Sequence, residues 1–220
     1  MESNSSAARV FEGPSAVAKL ASLGLAPEPL IQAAQAWDME RRNSSPLEPS
    51  VAPGFKAWAA GFRRLAELLI PRGWVKTETK GLPRVLNPRS RIAIAVVSGD
   101  EGTGRAQGRP HSKAARGKQS VFLVRSNQIQ LGLPFVEGER FRALPAEVEQ
   151  TTWWLLVHSD GHGTLRAELS LPIGLSDANR LVFSEDRIII EIPELPGDRL
   201  GGSDDEEPPL AIDVPVRPRA

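Results

Sequence analysis

The densest group of chemically active side chains lies in residues 98–118. Three glycines there, Gly99, Gly102 and Gly104, follow a predicted strand, and glycine lets backbone N–H groups approach a phosphate closely. The stretch after Glu101 has no acid, and its potential cations are Arg105, Arg109, His111, Lys113, Arg116 and Lys118. This composition predicts contact with nucleic-acid phosphates. The alternatives are a solvated, mobile loop and a nucleotide site, although no Gly-Lys-Ser/Thr completes a Walker motif.

Carboxylates near this segment suggest a second kind of site, a metal-dependent nuclease site. Glu78 and Lys80 end one predicted strand, and Asp100 and Glu101 follow another. The pattern resembles that of metal-dependent nucleases, in which acids hold Mg²⁺ and a lysine stabilises developing charge. The order differs from that family, because here the lone acid follows the Glu-x-Lys strand. Alternation of Lys76, Glu78 and Lys80 is also typical of the solvated face of an edge strand.

A third cluster, His158, Asp160 and His162, falls in one predicted turn. These side chains suit a divalent metal such as zinc. The competing interpretation is that Asp-Gly shapes a hairpin turn and the histidines flank it. The Gly-x-Ser-x-Gly motif of serine hydrolases is absent. We therefore predict no catalytic residue, no metal ligand and no cofactor.

The most specific motif is the hexapeptide of residues 130–135, Gln-Leu-Gly-Leu-Pro-Phe. It resembles the docking motif by which many bacterial replication and repair proteins bind the DNA sliding clamp. The resemblance implies that Gln130 is a polar anchor, while Leu131, Leu133 and Phe135 enter the apolar groove of the clamp. The same residues alternate as in a half-buried strand, and burial in the protein's own core would exclude docking.

Charge is segregated along the chain. Its 27 basic and 27 acidic side chains cancel, but the net charge is −2 in residues 1–50, +11 in 51–125 and −9 in 126–220. This asymmetry indicates a nucleic-acid or acidic partner for the central part. We expect the acidic end of the chain to compete with DNA for that part.

Composition excludes several classes of protein. Cysteine is absent, which excludes disulfides, thiolate zinc ligands and a cysteine nucleophile. No apolar stretch approaches the roughly 18 residues of a membrane span, and the first residues lack the basic and apolar regions of a secretory signal. We expect a cytoplasmic protein with no membrane contact.

Periodicity predicts the elements that position these residues. Helices are expected at 14–23, 28–42 and 54–70, the last with a stripe of Phe55, Trp58, Phe62, Leu65 and Leu69. Strands are expected at 74–79, 84–86, 91–98, 120–133, 152–158, 164–171 and 187–192. The strand at 91–98 is almost wholly apolar, so it should be central. Trp153 and Trp154 should face opposite sides of the sheet, either in the core or with one free to stack on a base.

These elements predict an α+β fold, with a long amphipathic helix packed on a mainly antiparallel sheet. The expected divisions are a disordered N-terminus (1–13), a helical segment (14–50), an α+β domain (51–195) and a disordered acidic tail (196–220). We expect a non-enzymatic bacterial accessory protein of DNA replication, repair or a mobile element. The alternatives are a metal-dependent hydrolase or nuclease, and a protein–protein adaptor that uses the acidic segments 137–149 and 194–207.

Overall fold

The computed structural model describes residues 8–131, 150–160 and 163–193. Its helices are α1 (Pro14–Ser22), α2 (Pro27–Arg42), α3 (Ala52–Leu69), which a 3₁₀ turn (Ile70–Arg72) extends, and α4 (Lys118–Gln130). Its strands are β1 (Arg9–Phe11), β2 (Val75–Thr79), β3 (Leu82–Asn87), β4 (Ile92–Ser98), β5 (Thr151–Ser159), β6 (Leu165–Leu175) and β7 (Leu181–Ile190). The predicted tail, residues 196–220, lies outside the described residues. Within the described part no helix has both the length and the apolarity that a membrane span requires.

All seven strands form one sheet, in the order β1-β7-β6-β5-β4-β3-β2. The β4–β5 and β1–β7 pairs are parallel, and the other neighbours are antiparallel. The predicted α+β fold with a mainly antiparallel sheet is therefore confirmed. The hairpin of β5 and β6 and the buried strand β4 also agree with the sequence.

The helices α1, α2 and α3 cover one face of the sheet and share one apolar cluster with it. The predicted helical segment 14–50 therefore contributes to the same core as the strands. Gly61 of α3 brings α2 close, since a Cβ built there would lie 3.1 Å from the Cβ of Trp37. The predicted stripe of α3 is buried at Phe62, Leu65 and Leu69, whereas Phe55 is 61% exposed and Trp58 is half-buried. Small residues of α3 complete the buried face, namely Ala57, Ala60, Gly61 and Ala66.

The predicted strand at 120–133 is wrong, because residues 118–130 form α4. A connection between the parallel strands β4 and β5 must cross over, and a helix is the usual way to do so. The buried residues of α4 follow helical spacing, but three of them are polar, so apolar periodicity hides the helix; they are Ser120, Leu123, Val124, Ser126 and Asn127. Asn127 bonds to the backbone of Thr152 in β5 and of Pro172 in β6.

The predicted disordered N-terminus is also wrong for residues 9–11, which form β1 beside β7. The buried carboxylate of Asp186 accounts for this pairing. Its Oδ1 lies 2.7 Å from Arg9 Nε in β1, and its Oδ2 lies 2.8 Å from Lys19 Nζ in α1. These charge contacts hold the segment in place together with Phe11, which packs against the apolar cluster.

Trp153 and Trp154 face opposite sides of the sheet, and both are buried. Trp153 belongs to the cluster under α1, α2 and α3, whereas Trp154 belongs to a smaller cluster under α4. Neither ring is therefore available to stack on a base.

Candidate nucleic-acid interface

Residues 99–117, called the basic loop below, connect β4 to α4 and fold against the sheet. Gly99 N–H donates to Val157 O at 2.9 Å, and Lys113 N–H donates to Ser98 O at 2.9 Å. Gly99 and Ser112 also form an antiparallel bridge that closes the base of the loop. The base of the loop is therefore bonded to the sheet, while many of its side chains are exposed to solvent.

Asp100 organises the first part of the basic loop. Its Oδ1 accepts the N–H of Gly102 at 3.1 Å and the N–H of His111 at 3.0 Å. Its Oδ2 lies 3.1 Å from His111 Nδ1. These contacts engage both carboxylate oxygens of Asp100 within the loop itself.

A buried ion pair holds the middle of the basic loop. The side chain of Glu168 in β6 is 0% exposed and that of Arg187 in β7 is 5% exposed, and Arg187 Nη2 lies 2.6 Å from Glu168 Oε2. Arg187 also donates to Gly108 O at 2.6 Å and to Arg105 O at 3.0 Å. Glu168 Oε2 in turn accepts the N–H of Gly104 at 2.9 Å. The pair thus bonds directly to the backbone that carries the cations.

Close backbone approaches explain the glycines of the basic loop. A Cβ at Gly102 would lie 2.7 Å from Arg109 O, and a Cβ at Gly104, whose φ is +70°, would lie 2.8 Å from Arg166 Cβ. Arg166 also donates to Thr103 O at 3.1 Å and to Glu101 O at 3.2 Å. The glycines allow the loop to fold onto the sheet, which differs from the predicted phosphate cradle.

Most of the predicted phosphate-contacting side chains are exposed, namely Arg105, Arg109, Lys113 and Lys118. The other two have structural contacts. His111 is half-buried beside Asp100. The guanidinium carbon of Arg116 lies 5.7 Å from the ring centre of Trp154, and burial lowers the pKa of Arg116 from its ordinary value. A guanidinium still remains charged at neutral pH.

Comparisons with protein families, characterised proteins and solved structures find no match to this chain. A function must therefore be inferred from its own residues. Sequence reasoning missed Arg180, which is exposed in the β6–β7 turn. In that turn Asn179 O accepts the N–H of Arg116 at 2.8 Å, so Arg180 adjoins the end of the basic loop. Because Arg116 and Arg180 are 64 positions apart in the sequence, no local pattern indicates that they are neighbours.

The structure does not assemble the predicted nuclease site. Glu78 lies on the edge strand β2, where its Oε2 is 3.9 Å from Lys76 Nζ. Strand β3 separates β2 from β4, the strand that leads to Asp100. Within residues 8–131, 150–160 and 163–193, no three His, Asp or Glu side chains form a group that could hold a metal ion.

The predicted histidine cluster is only partly described. His158 is half-buried at the end of β5, and its Nδ1 lies 3.4 Å from Gly99 O. Asp160 Oδ1 accepts the N–H of Thr164 at 3.1 Å, as expected for a hairpin turn. His162 lies outside the described residues, as do the acidic segments 137–149 and 194–207.

The predicted clamp-docking segment begins in a helix. Gln130 is the last residue of α4 and Leu131 follows it in a helical conformation, 37% exposed. Leu133 and Phe135 lie outside the described residues. The expected extended conformation is therefore wrong for Gln130 and Leu131, although both are accessible.

Proposed function

We propose that the protein is a non-enzymatic accessory protein that binds the phosphate backbone of DNA through its basic loop. The observation that carries the proposal is a group of exposed cations on an anchored backbone. These side chains, called the basic surface below, are Arg105, Arg109, Lys113, Lys118 and Arg180. Between Gly102 and Leu131 the sequence contains no Asp or Glu, so no acid of this stretch competes with phosphate for the first four cations. The turn that contains Arg180 also contains the exposed Asp177.

Anchoring of the basic loop supports binding. A flexible basic segment loses conformational freedom when it binds, and that loss reduces affinity. Here Asp100 and the Arg187–Glu168 pair already bond to the loop backbone in the free chain. The exposed side chains still have to be ordered, but the backbone between them does not.

The amino end of α4 adds donors of a suitable kind. Its N-cap is Gly117, which provides no side-chain acceptor, and its first turn contains no acid. Helix amino ends favour anions because their first N–H groups are free and the helix dipole is positive there.

Duplex DNA suits this surface better than a single strand. Single-strand binding usually relies on aromatic rings on which bases stack. Trp153 and Trp154, the two rings that the sequence suggested for stacking, are buried, and the 52% exposed Phe183, three residues from Arg180, packs against Gly174 of the neighbouring strand. Cations that contact phosphates alone fix position without reading sequence. We therefore propose binding with little sequence preference.

Fluorescence anisotropy of a labelled 20-base-pair duplex, titrated across salt concentrations, tests the proposal. The logarithm of the association constant should fall linearly with the logarithm of salt, by about 0.9 for each phosphate neutralised. The variant Arg105→Ala/Arg109→Ala/Lys113→Ala should reduce that slope by about 3. The control variant Arg63→Ala/Lys76→Ala/Lys80→Ala removes equal charge elsewhere and should leave the slope unchanged. Absent or salt-independent binding would refute the proposal.

We also propose that residues 130–135 dock on the bacterial sliding clamp. Exposure of Gln130 and Leu131 at the end of α4 supports access to this segment. Docking in an extended form would require the last turn of α4 to unwind. The two surfaces would then act together, one on DNA and the other on the protein that encircles it.

A further inference from the structure

A cavity of about 510 Å³ lies near the start of β4, away from the basic loop. Asn87, the last residue of β3, and Arg89, in the β3–β4 turn, both line it. The basic loop begins where β4 ends, and a strand of seven residues is about 23 Å long. The cavity is therefore a separate site, and an inference about it does not depend on DNA binding.

Two arginines from different elements line this cavity, called the two-arginine cavity below. Arg72 ends the 3₁₀ turn and Arg89 lies in the β3–β4 turn. Both side chains are exposed, and neither forms a salt bridge within the described residues. No acidic residue lines the cavity.

Helix ends do not cancel this positive charge. The carboxyl ends of α1 and of the 3₁₀ turn contribute about −0.5 each, and the amino end of α2, at Ala26, contributes about +0.5. The two guanidinium groups, always charged in proteins, outweigh these partial charges. Glu28, the acid in the first turn of α2, is not among the lining residues.

The rest of the lining is apolar or lacks side chains. Leu25, Leu69 and Trp74 are part of the core cluster and also line the cavity. Gly73 has a φ of +89°, and a Cβ built there would meet no heavy atom within 4 Å. Space at this point is therefore open to a ligand. The volume is within the range of about 300–1,000 Å³ that is usual for small-molecule sites.

We propose that the two-arginine cavity binds a small organic anion. A carboxylate or phosphate group contacts Arg72 and Arg89, since arginine forks pair well with both. An apolar body lies against Leu25, Leu69 and Trp74. A long polyanion would not use these apolar walls, which is why a small molecule fits better than nucleic acid.

Titration of the full-length protein with three naphthalene compounds tests the proposal. The probes are 2-naphthoate, 1-naphthyl phosphate and the neutral 2-naphthalenemethanol, and the signal is the indole N–H resonance of Trp74, assigned with Trp74→Phe. Both anions should shift this resonance saturably, and at least one should bind about tenfold more tightly than the neutral compound. The tighter anion identifies the head group.

Substitutions test whether the anionic probes bind in the two-arginine cavity. Arg72→Ala/Arg89→Ala should weaken the tighter anion about tenfold, and Ala26→Trp, which narrows the entrance, should also weaken it. The control variant Arg105→Ala/Arg109→Ala has the same change in net charge and should bind the anionic probe as tightly as the wild type does. Of these variants, only this control should bind DNA more weakly. Equal affinity for anionic and neutral probes, or an unchanged affinity in Arg72→Ala/Arg89→Ala, would overturn the proposal.

Discussion

The guanidinium of Arg187 and the carboxylate of Glu168 are in contact, 2.6 Å apart, beneath the basic loop. Both also bond to the loop backbone, through the carbonyl oxygens of Arg105 and Gly108 and the N–H of Gly104. Ser170 Oγ donates to the same carboxylate at 2.5 Å. The stability of the sheet and the shape of the proposed DNA-binding surface are therefore coupled through one buried network.

Glu168→Gln should lower the free energy of unfolding by about 3–5 kcal/mol, because it leaves the buried charge of Arg187 without an anionic partner. Chemical denaturation followed by Trp fluorescence measures this change. Arg187→Met/Glu168→Leu leaves no unpaired buried charge, but it removes the acceptor of the Gly104 N–H. Because it also removes the donors to the loop carbonyls, it should expose the basic loop to proteolysis. A double variant whose loop resists proteolysis would contradict this role of the pair.

Gly102→Ala should destabilise the chain by about 1–3 kcal/mol, because its Cβ would lie 2.7 Å from the carbonyl oxygen of Arg109. Gly54→Ala is the matched control. Its Cβ would meet nothing within 4 Å, and its position in the first turn of α3 favours alanine over glycine. The two substitutions should therefore shift the thermal midpoint in opposite directions. An unchanged midpoint in Gly102→Ala would show that the loop leaves room for a Cβ at this position.

The sequence predicts the elements whose periodicity is apolar and fails where polar contacts decide. The sequence predicts α2 and β4 correctly because apolar residues occupy their buried faces. α4 is hidden because Ser126 and Asn127 occupy buried positions of a helix. β1 is hidden because Asp186, far along the chain, holds it.

For the candidate site, the sequence identifies the cations of the basic loop but not how the loop is held. Gly104 bonds to Glu168 and Arg105 bonds to Arg187, but each pair is far apart in the sequence, so no local pattern predicts these contacts. The same holds for the two-arginine cavity, since Arg72 and Arg89 belong to different elements that only the folded sheet brings together.

His158 should make stability depend on pH. Burial lowers its pKa, and repulsion from Arg166 acts in the same direction, against the hydrogen bond to Gly99 and the nearby acids. Above about pH 6.5, the ordinary histidine pKa, the residue is neutral in both states and contributes nothing. As the pH falls below that value, the unfolded chain takes up the proton first, so the free energy of unfolding decreases down to the lowered pKa of the folded state.

Urea denaturation of the wild type and of His158→Gln between about pH 7.5 and pH 5 measures this contribution. Other titrating groups affect both proteins, so they cancel in the difference between the two curves. The wild type should lose more stability than the variant as the pH falls. Parallel curves would mean that the two states of His158 bind protons equally.

If residues 130–135 dock on the clamp, binding to the clamp should depend on apolar side chains rather than on charge. In a pull-down with a bacterial sliding clamp, Leu133→Ala/Phe135→Ala should reduce retention at least about tenfold, because buried apolar anchors carry most of the energy of such contacts. Leu47→Ala/Phe55→Ala removes two exposed apolar side chains elsewhere and should be retained as the wild type is. Gln130→Ala should have a smaller effect, since a polar anchor at the pocket edge exchanges one hydrogen bond for water. Equal retention of the wild type and Leu133→Ala/Phe135→Ala would exclude docking through this segment while leaving the DNA-binding proposal intact.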